Sequence, residues 1–356
     1  MVELWIPMVF ARPDEIAMKA RQLEADGWDG MTLADTQCLF GDPFVQMTAA
    51  VIATNQLKVT TATSNPLTRH PSVIASAIAS VAAIAPGRVM LGIGRGDSAI
   101  AYIGGAPASV EVFERYVSAV RRYLHGESVP FDALRDWPFE RDLASIDLGS
   151  APTESQLRWL NDAVPTVPVQ VFATGPRVIK VGGSLADRVT FGLGADVVRL
   201  QWAVELARQA RGAAGGDPAT LALGSAIPIG VADDMDRARR SVANMVASEA
   251  RFAVMSGRVV GPMLDPHRRV YESVALAYDM NKHGGSGAQV DVLTDDFSDE
   301  FAIVGPPSRC IERILELIEL GLDHLMLAPP QGDADEDDKT QGYRRLVEEV
   351  LPSLRT

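Results

Sequence analysis

A glycine-rich turn at residues 92–98 (GIGRGDS) is the first segment whose residue types could do chemistry. It follows a run of apolar residues, and glycines at a strand end let the backbone approach a ligand closely. Arg95 adds a positive charge and Ser98 a hydrogen-bond donor, which together suit an anionic or planar ligand. The G-x-G-x-G spacing differs from the G-x-G-x-x-G dinucleotide fingerprint, so a nicotinamide-binding Rossmann site is disfavoured. A tight turn that binds nothing is the alternative interpretation.

Two further strand ends carry polar side chains. Asp35 ends the apolar run MTLAD, where a carboxylate either accepts a hydrogen bond from a cofactor or substrate, or caps the helix that follows. Residues 65–71 (NPLTRHP) come after the next predicted strand, and their two prolines stiffen a loop that carries Arg69 and His70. His70 is a candidate for catalysis, and a hydrogen bond to a backbone carbonyl is its competing role.

Residues 173–180 (ATGPRVIK) predict a helix that begins just after a strand. The first backbone N–H groups of a helix have no partner within it, so a helix N-terminus attracts anions. Arg177 strengthens this attraction, and a helix start without a ligand is the alternative. Taken together, the four segments predict a pocket for a planar, phosphorylated cofactor that supplies the chemistry.

Other kinds of site are not supported by the residues present. No group of histidines and carboxylates has the spacing of a metal site, so we predict no metal. There is no G-x-S-x-G nucleophile elbow. The two cysteines, Cys38 and Cys310, are too few for a disulfide framework or a four-thiolate zinc site, and a reducing, cytoplasmic location is the default expectation.

The composition predicts a globular protein that acts on small molecules. The 356 residues are 47% hydrophobic and 22% charged, which is ordinary for a folded chain. The formal net charge of −13 argues against nucleic acid and anionic membranes as partners, because both need a basic surface. No apolar run reaches the roughly 18 residues of a membrane span, and the N-terminus lacks the pattern of a signal peptide.

Short strand-like runs alternate with helical patterns along most of the chain, which predicts a parallel sheet with helical crossovers. Eight such repeats favour an α/β fold of the closed (β/α)8 TIM-barrel type, formed by a single domain over residues 1–356, with an open doubly wound sheet as the alternative. The predicted strands cover residues 3–10, 30–35, 58–65, 89–94, 167–174, 189–193, 221–231 and 324–328. The predicted helices cover residues 13–26, 43–54, 72–84, 109–125, 176–186, 196–211, 233–256, 306–320 and 341–354.

Two irregular stretches interrupt the alternation, at residues 126–166 and 257–299, after the fourth and seventh predicted strands. In a barrel of this kind the active site forms from the loops that follow the strands. The segments described above all occupy that position. We therefore expect them to meet at the mouth of the barrel, with the two insertions lying over it as lids or walls.

Three stretches of the sequence resemble the bacterial luciferase-like superfamily, and within it the deazaflavin-dependent branch that includes the methylenetetrahydromethanopterin reductases. They are SNPLTRHPSVIASAIASVAAIAPGRVMLGIGRGDS, ATGPRVIKVGGSLADRVTFG and FAIVGPPSRCIERILELIELGLDHLML. The resemblance spans nearly the whole chain. It implies a (β/α)8 barrel with insertions, a homodimer, and coenzyme F420 bound with its ring in the barrel mouth.

The resemblance also implies roles for individual residues. Asp35 falls where the branch has an acidic residue near the ring, and Asp97 matches the acidic residue near the reactive edge of the ring. Ala62 and Thr63 fall where the branch often has a cis peptide bond that backs the ring. The remaining predicted cofactor contacts are Asn65, Gly94, Gly96, Ser98, Thr174, Arg177 and, in the matching phosphate-binding segment, Gly175, Pro176 and Gly183.

Our main hypothesis is a coenzyme F420-dependent oxidoreductase that transfers a hydride between the cofactor and a small organic substrate. Asp35, Asp97 and His70 are the candidates for catalysis, with Asp97 as the first candidate for handling a proton. The alternative is an FMN-dependent luciferase-like monooxygenase supplied with reduced flavin by a partner reductase. A barrel that binds its cofactor without turnover is a third possibility.

Overall fold

Parallel strands form a closed ring at the centre of the molecule. The computed structural model describes residues 2–8, 12–161, 163–255 and 258–355, and the elements below belong to this part of the chain. The strands are β1 (Glu3–Met8), β2 (Gly30–Leu33), β3 (Lys58–Thr61), β4 (Val89–Ile93), β5 (Val129–Pro130), β6 (Glu154–Ser155), β7 (Val169–Ala173), β8 (Arg188–Phe191), β9 (Ala222–Val231), β10 (Ile303–Gly305) and β11 (His324–Ala328). Strands β1, β2, β3, β4, β7, β8, β9 and β11 pair in that order, and β11 pairs back with β1. The predicted TIM barrel is therefore confirmed.

Three short strands lie outside this ring. β5 and β6 form an antiparallel pair within the first predicted insertion. β10 pairs in parallel with the last residues of β9 and was not predicted, because a three-residue strand has too short a pattern to recognise. The predicted strand end at residues 9–10 lies outside the described residues. So do position 162 of the first predicted insertion, position 256 of the predicted helix 233–256 and position 257 of the second predicted insertion.

The ring strands are largely buried on both faces because helices cover the outside and side chains fill the inside. Every residue of β4 and β11 is buried. Trp5, Met90 and Met326 pack together as a separate cluster. Gly30 of β2 is required beside this cluster, since a Cβ atom there would lie 2.4 Å from the ring of Trp5.

The helices of the described residues include the nine predicted ones, most of whose ends agree to within a few residues, and four that were not predicted. They are α1 (Ile16–Ala25), α2 (Pro43–Ala53), α3 (Pro71–Ile84), α4 (Ser98–Ala101), α5 (Val110–Leu124), α6 (Pro176–Leu185), α7 (Val197–Ala213), α8 (Met235–Phe252), α9 (Asp265–Ala277), α10 (Ala288–Asp291), α11 (Asp295–Phe301) and α12 (Pro307–Glu319). A last helical segment follows β11 and runs through Asp338–Gly342, Tyr343–Arg345 and Leu346–Val350. Proline at the first turn and polar N-cap side chains, such as Asp42 before α2 and Asp196 before α7, fix where these helices begin.

The second predicted irregular stretch, at residues 257–299, is largely helical, so that prediction was wrong. It contains α9, α10 and most of α11. Val270, Tyr271 and Val274 of α9 recur at helical spacing and are buried with Phe297 and Phe301 in a second core cluster. This one-sided apolar pattern in the sequence indicates an amphipathic helix, and it could have predicted α9. The first stretch is mostly irregular, as predicted.

Candidate functional site

The loops that follow β2 and β4 meet at the carboxyl end of the barrel. Thr36 Oγ1 lies 3.4 Å from Ser98 Oγ, and the side-chain amide of Gln37 donates a 2.7 Å hydrogen bond to the carbonyl of Ala99. These segments are more than 60 residues apart in sequence, so only the closure of the parallel sheet brings them together. Ser98, a predicted cofactor contact, therefore lies at the mouth.

Asp35 is buried just after β2 and connects the loop after β2 to the loop after β3. Ser64 Oγ donates a 2.7 Å hydrogen bond to its Oδ2, and Arg69 Nε and Nη2 lie 3.4 and 3.5 Å from its two carboxylate oxygens. The N-cap of α2 is Asp42, which also pairs with Arg69 at 2.7 Å. Asp35 therefore does not cap α2, and its predicted contact with a cofactor or substrate stays a prediction. Its carboxylate anchors the loop after β3.

The loop after β3 contains the cis peptide bond Ala62–Thr63, as the resemblance implied. The side chain of Thr63 fills the space beside Gly94, where a Cβ atom would lie 2.7 Å from Thr63 Oγ1. Asn65 Oδ1 accepts hydrogen bonds from the backbone of the following turn, whereas its buried Nδ2 has no partner among the described residues. The amide of Asn65 therefore retains donor capacity for a ligand.

His70 is the N-cap of α3. Its Nδ1 accepts a 3.2 Å hydrogen bond from the backbone N–H of Ser72, and burial lowers the pKa of its ring. A ring that accepts at Nδ1 carries its proton on Nε2 when neutral, and this buried atom has no partner among the described residues. Trp137, from the first insertion, lies edge-on to the ring at 6.1 Å. His70 therefore both caps a helix and retains a donor.

Asp97 lies just after β4, at the point where the positive φ of Gly96 turns the chain. Its carboxylate pairs with Arg251 at the end of α8, and both side chains are largely buried. The guanidinium of Arg251 lies 4.6 Å from the ring centre of Tyr278. Tyr278 Oη in turn lies 2.7 Å from His283 Nδ1. The second insertion therefore lies against the mouth, as expected, and Arg251 connects it to Asp97, the residue predicted to handle a proton.

The N-terminus of α6 is open and lies near two guanidiniums. Its N-cap residue, Gly175, provides no capping side chain, and nothing lies within 4 Å of where a Cβ atom would stand. Arg177 is exposed and pairs with Glu111. Burial lowers the pKa of Arg95, and the nearby charge of Arg177 lowers it further. Two like charges beside uncapped helix N–H groups suit an anion.

Thr174 and Gly183, from the same predicted phosphate segment, lie in different surroundings. Thr174 Oγ1 donates a 3.3 Å hydrogen bond to the carbonyl of Phe252, so it links the end of β7 to the end of α8. Gly183 lies against α7, where a Cβ atom would stand 2.4 Å from the carbonyl of Ala207. Gly183 therefore serves close helix packing, and we remove it from the proposed phosphate contacts.

Glu249 belongs to the same last turns of α8 and was not predicted. Glu249 lies one turn before Phe252, whose backbone carbonyl accepts the hydrogen bond from Thr174. Its Oε2 is buried and has no partner among the described residues. Burial raises the pKa of Glu249 to about 8, so the carboxyl is neutral at physiological pH.

The barrel and its mouth define a TIM-barrel protein whose candidate ligand site is built from the loops after β2, β3, β4 and β7. Residues 6–324 match the luciferase-like monooxygenase family, so the chain belongs to this family. This confirms the resemblance read from the sequence. In the described part of the chain, no three His, Cys, Asp or Glu side chains are grouped to hold a metal ion, and no helix is long and apolar enough to cross a bilayer.

Its relatives include several F420 proteins. A 5,10-methylenetetrahydromethanopterin reductase of Methanopyrus kandleri is 24% identical over 97% of this chain and 96% of its own. An F420-dependent glucose-6-phosphate dehydrogenase of Beutenbergia cavernae is 28% identical over 86% of this chain and 81% of its own. Among solved structures, an F420-dependent secondary alcohol dehydrogenase bound to an F420-acetone adduct superposes with a TM-score of 0.74 at 18% identity, over 100% and 99% of the two chains.

Proposed function

We propose that this protein is an oxidoreductase that uses coenzyme F420 to transfer a hydride to or from a small organic substrate. The observation that carries the proposal is the unfilled donor set at the mouth of a barrel whose full-length relatives include F420 enzymes. Asn65 Nδ2 and His70 Nε2 are buried donors without a partner among the described residues, and the N-terminus of α6 is uncapped. A planar ligand with a phosphate group supplies acceptors for both kinds of donor.

The residues present fit such a cofactor. We propose that Arg95, Arg177 and the start of α6 hold its phosphate group. Gly175 and Pro176 form that start of α6, and the proposed contacts along the rest of the cofactor are Ala62, Thr63, Asn65, Gly94, Gly96, Ser98 and Thr174. Asp35 acts through Ser64 and Arg69, because its oxygens are engaged by those side chains.

When bound, a deazaflavin supplies two-electron hydride chemistry. The protein then has to orient the substrate and move one proton. We propose that Asp97 accepts a proton from the substrate in the oxidation direction and returns it in the reverse direction. Arg251 fixes the direction in which this carboxylate points. His70, with its free Nε2, is the second candidate.

Titration with coenzyme F420 and with FMN, followed by the fluorescence of each, tests the choice of cofactor. We expect saturable binding of F420 and much weaker binding of FMN. Tight binding of FMN together with oxygen uptake by the reduced complex would instead support a flavin monooxygenase and overturn the proposal. If the protein binds F420 but no hydride is transferred with any of a broad panel of substrates, the proposed enzymatic activity is contradicted.

Reversing the charge of Arg177 is expected to weaken F420 binding about tenfold, because it places an anion at a helix N-terminus beside a phosphate group. The measurement is the dissociation constant of F420 for Arg177→Glu. Glu111→Gln is the matched control, since it breaks the same ion pair and leaves the positive charge in place. Unchanged affinity in Arg177→Glu, or an equal loss in Glu111→Gln, would place the phosphate elsewhere.

We also propose that two copies of the chain associate through α2 and α3. Neither helix contains a charged residue, although the chain carries a net charge of −13. Ile52 and Val73 of these helices are 68% and 53% exposed. Two copies can therefore approach at this face without charge repulsion and bury its apolar side chains. The same negative charge supports our proposal that neither nucleic acid nor a membrane is a partner.

Placing a charge on this face is expected to convert the dimer to a monomer, because each carboxylate would be buried without a partner. The variant is Ile52→Glu/Val73→Glu, and the measurement is molecular mass by analytical ultracentrifugation. Leu276→Glu is the control, since Leu276 of α9 is 90% exposed and lies on a different face. A wild-type monomer, or a dimer that survives the double substitution, would contradict the proposal.

A further inference from the structure

A cavity of about 870 Å³ lies beside the mouth, at the carboxyl ends of β1 and β11. Its walls come from four elements: the end of β1, one side of α1, residues 282–286 of the second insertion, and the loop and helix that follow β11. None of the cofactor contacts proposed above lines it. The cavity therefore provides space for a different ligand, or for a different part of one.

Three of the chain's five lysines line this one cavity. The five are Lys19, Lys58, Lys180, Lys282 and Lys339. Lys19 reaches the cavity from α1, Lys282 from the second insertion, and Lys339 from the last helical segment. Lysine is scarce in this acidic protein, so its gathering from three separate elements indicates a site for negative charge.

Only one of these three lysines forms an ion pair with a described carboxylate. Lys339 pairs with Glu336 at 2.7 Å. Lys19 and Lys282 form no ion pair with the described carboxylates. Asp333 is the carboxylate that lines the cavity, and its oxygens already accept hydrogen bonds from Ser286 and Asn244.

The cavity is close to the residue proposed to move a proton. His283 lines it and contacts Tyr278, which stacks under the Arg251 that pairs with Asp97. Burial lowers the pKa of His283, and the charges of Asp97 and Arg251 act on it in opposite directions. A ligand in the cavity is therefore within electrostatic range of Asp97.

We propose that this cavity binds an anionic group, a carboxylate or a phosphate, on the part of the substrate remote from the reacting carbon. The assignment to a substrate rests on the proposed function, and it defines the substrate as an acidic small molecule. Lys19 and Lys282 make the main contacts, and Lys339 adds to the local positive charge. An acidic side chain of the cofactor has the same chemistry and is the competing occupant.

The first test measures binding of citrate and of inorganic phosphate to the protein without cofactor, by isothermal titration calorimetry at low salt. We expect saturable binding of at least one probe, weakened about tenfold or more in Lys19→Gln/Lys282→Gln and weakened by added salt. Arg240→Gln/Arg269→Gln is the matched control, because it removes two exposed positive charges outside the cavity. No saturable binding, or equal weakening in both variants, overturns the proposal.

The second test separates the two possible sources of the anion. Dissociation constants are measured for coenzyme F420 and for its riboside, which lacks the phosphate and the acidic side chain. Equal F420 affinity in the wild type and in Lys19→Gln/Lys282→Gln supports the substrate as the source. A loss of F420 affinity without a loss of riboside affinity assigns the cavity to the cofactor. Failure of the wild type to bind F420, with citrate or phosphate still bound, would refute the proposed function and leave the anion site standing.

Discussion

Asp97→Asn is expected to slow hydride transfer by about 10²- to 10⁴-fold, which is the usual range for loss of a general acid or base. Asparagine has nearly the same shape as aspartate and still offers Arg251 an oxygen acceptor, but it cannot take up the proton. The fold should therefore survive, with a small decrease in melting temperature from the weakened ion pair. Single-turnover hydride transfer and the melting temperature are measured on the same preparation loaded with F420.

Arg251→Gln separates a proton-transfer role of Asp97 from a structural one. If Asp97 serves only to hold Arg251, then both single variants should lose the same amount of rate, and the double variant should lose no more. If Asp97 moves the proton, its loss should exceed that of Arg251→Gln and should abolish the pH dependence of the chemical step. Full-speed transfer in Asp97→Asn would remove Asp97 from the mechanism and leave His70 as the next candidate.

The position of Asp97 could be predicted from the sequence because of a general property of parallel barrels. Strands of alternating β/α units all end on the same side, so polar residues after different strands must meet. The glycine-rich turn after β4 and the predicted strand ends at Asp35 and Asn65 all follow this rule, and the structure brings them together. The strand pattern alone thus predicted that the candidate site lies at the carboxyl end of the barrel.

The partners of these residues could not be predicted in the same way. Arg251 lies 154 residues from Asp97, on a charged helix whose pattern is typical of a solvent-exposed face. Tyr278 and His283 lie in a stretch that was interpreted as irregular. Nothing local in the sequence distinguishes an arginine that faces a distant carboxylate from one that faces water, because that choice is made by tertiary packing.

Asp35 and His70 show a second limit of sequence analysis. Both residues follow barrel strands, as predicted, but residue type does not reveal which hydrogen bonds are made. Asp35 is engaged by Ser64 and Arg69, and His70 caps α3. Gly183 shows the same limit for glycine, since close helix packing and ligand binding both favour the absence of a Cβ atom.

The second large effect that we expect is on stability, and it concerns Glu249. Burial raises the pKa of this carboxyl from 4.5 to about 8, so the folded protein holds a proton there that the unfolded chain has released. The contribution of the protonated Glu249 to the free energy of unfolding is fully present below pH 4.5. It is lost progressively as the pH rises towards 8, because the unfolded state gains from ionising and the folded state does not.

The free energy of unfolding should therefore fall with rising pH more steeply in the wild type than in Glu249→Gln. Glutamine is neutral at every pH and fills nearly the same space, so the variant lacks this one titration. Between pH 4.5 and about 8, each pH unit lowers the free energy of unfolding of the wild type by at most about 1.4 kcal/mol relative to the variant. By pH 8 this difference between the two proteins amounts to a few kcal/mol. Urea denaturation at pH 5, 6.5, 8 and 9 measures it, and Glu272→Gln serves as the control because Glu272 is exposed on α9.

The difference between wild type and Glu249→Gln isolates this residue from the other carboxyl groups whose pKa burial raises, such as Glu300 and Asp196, since those titrate in both proteins. A difference that stays constant from pH 5 to 9 would mean that Glu249 is hydrated and ionised in the folded state. A difference that grows up to about pH 8 would mean that the last turn of α8 holds a neutral carboxyl group in the folded protein. A neutral carboxyl donates a hydrogen bond, so this turn would then hold a buried donor and no negative charge.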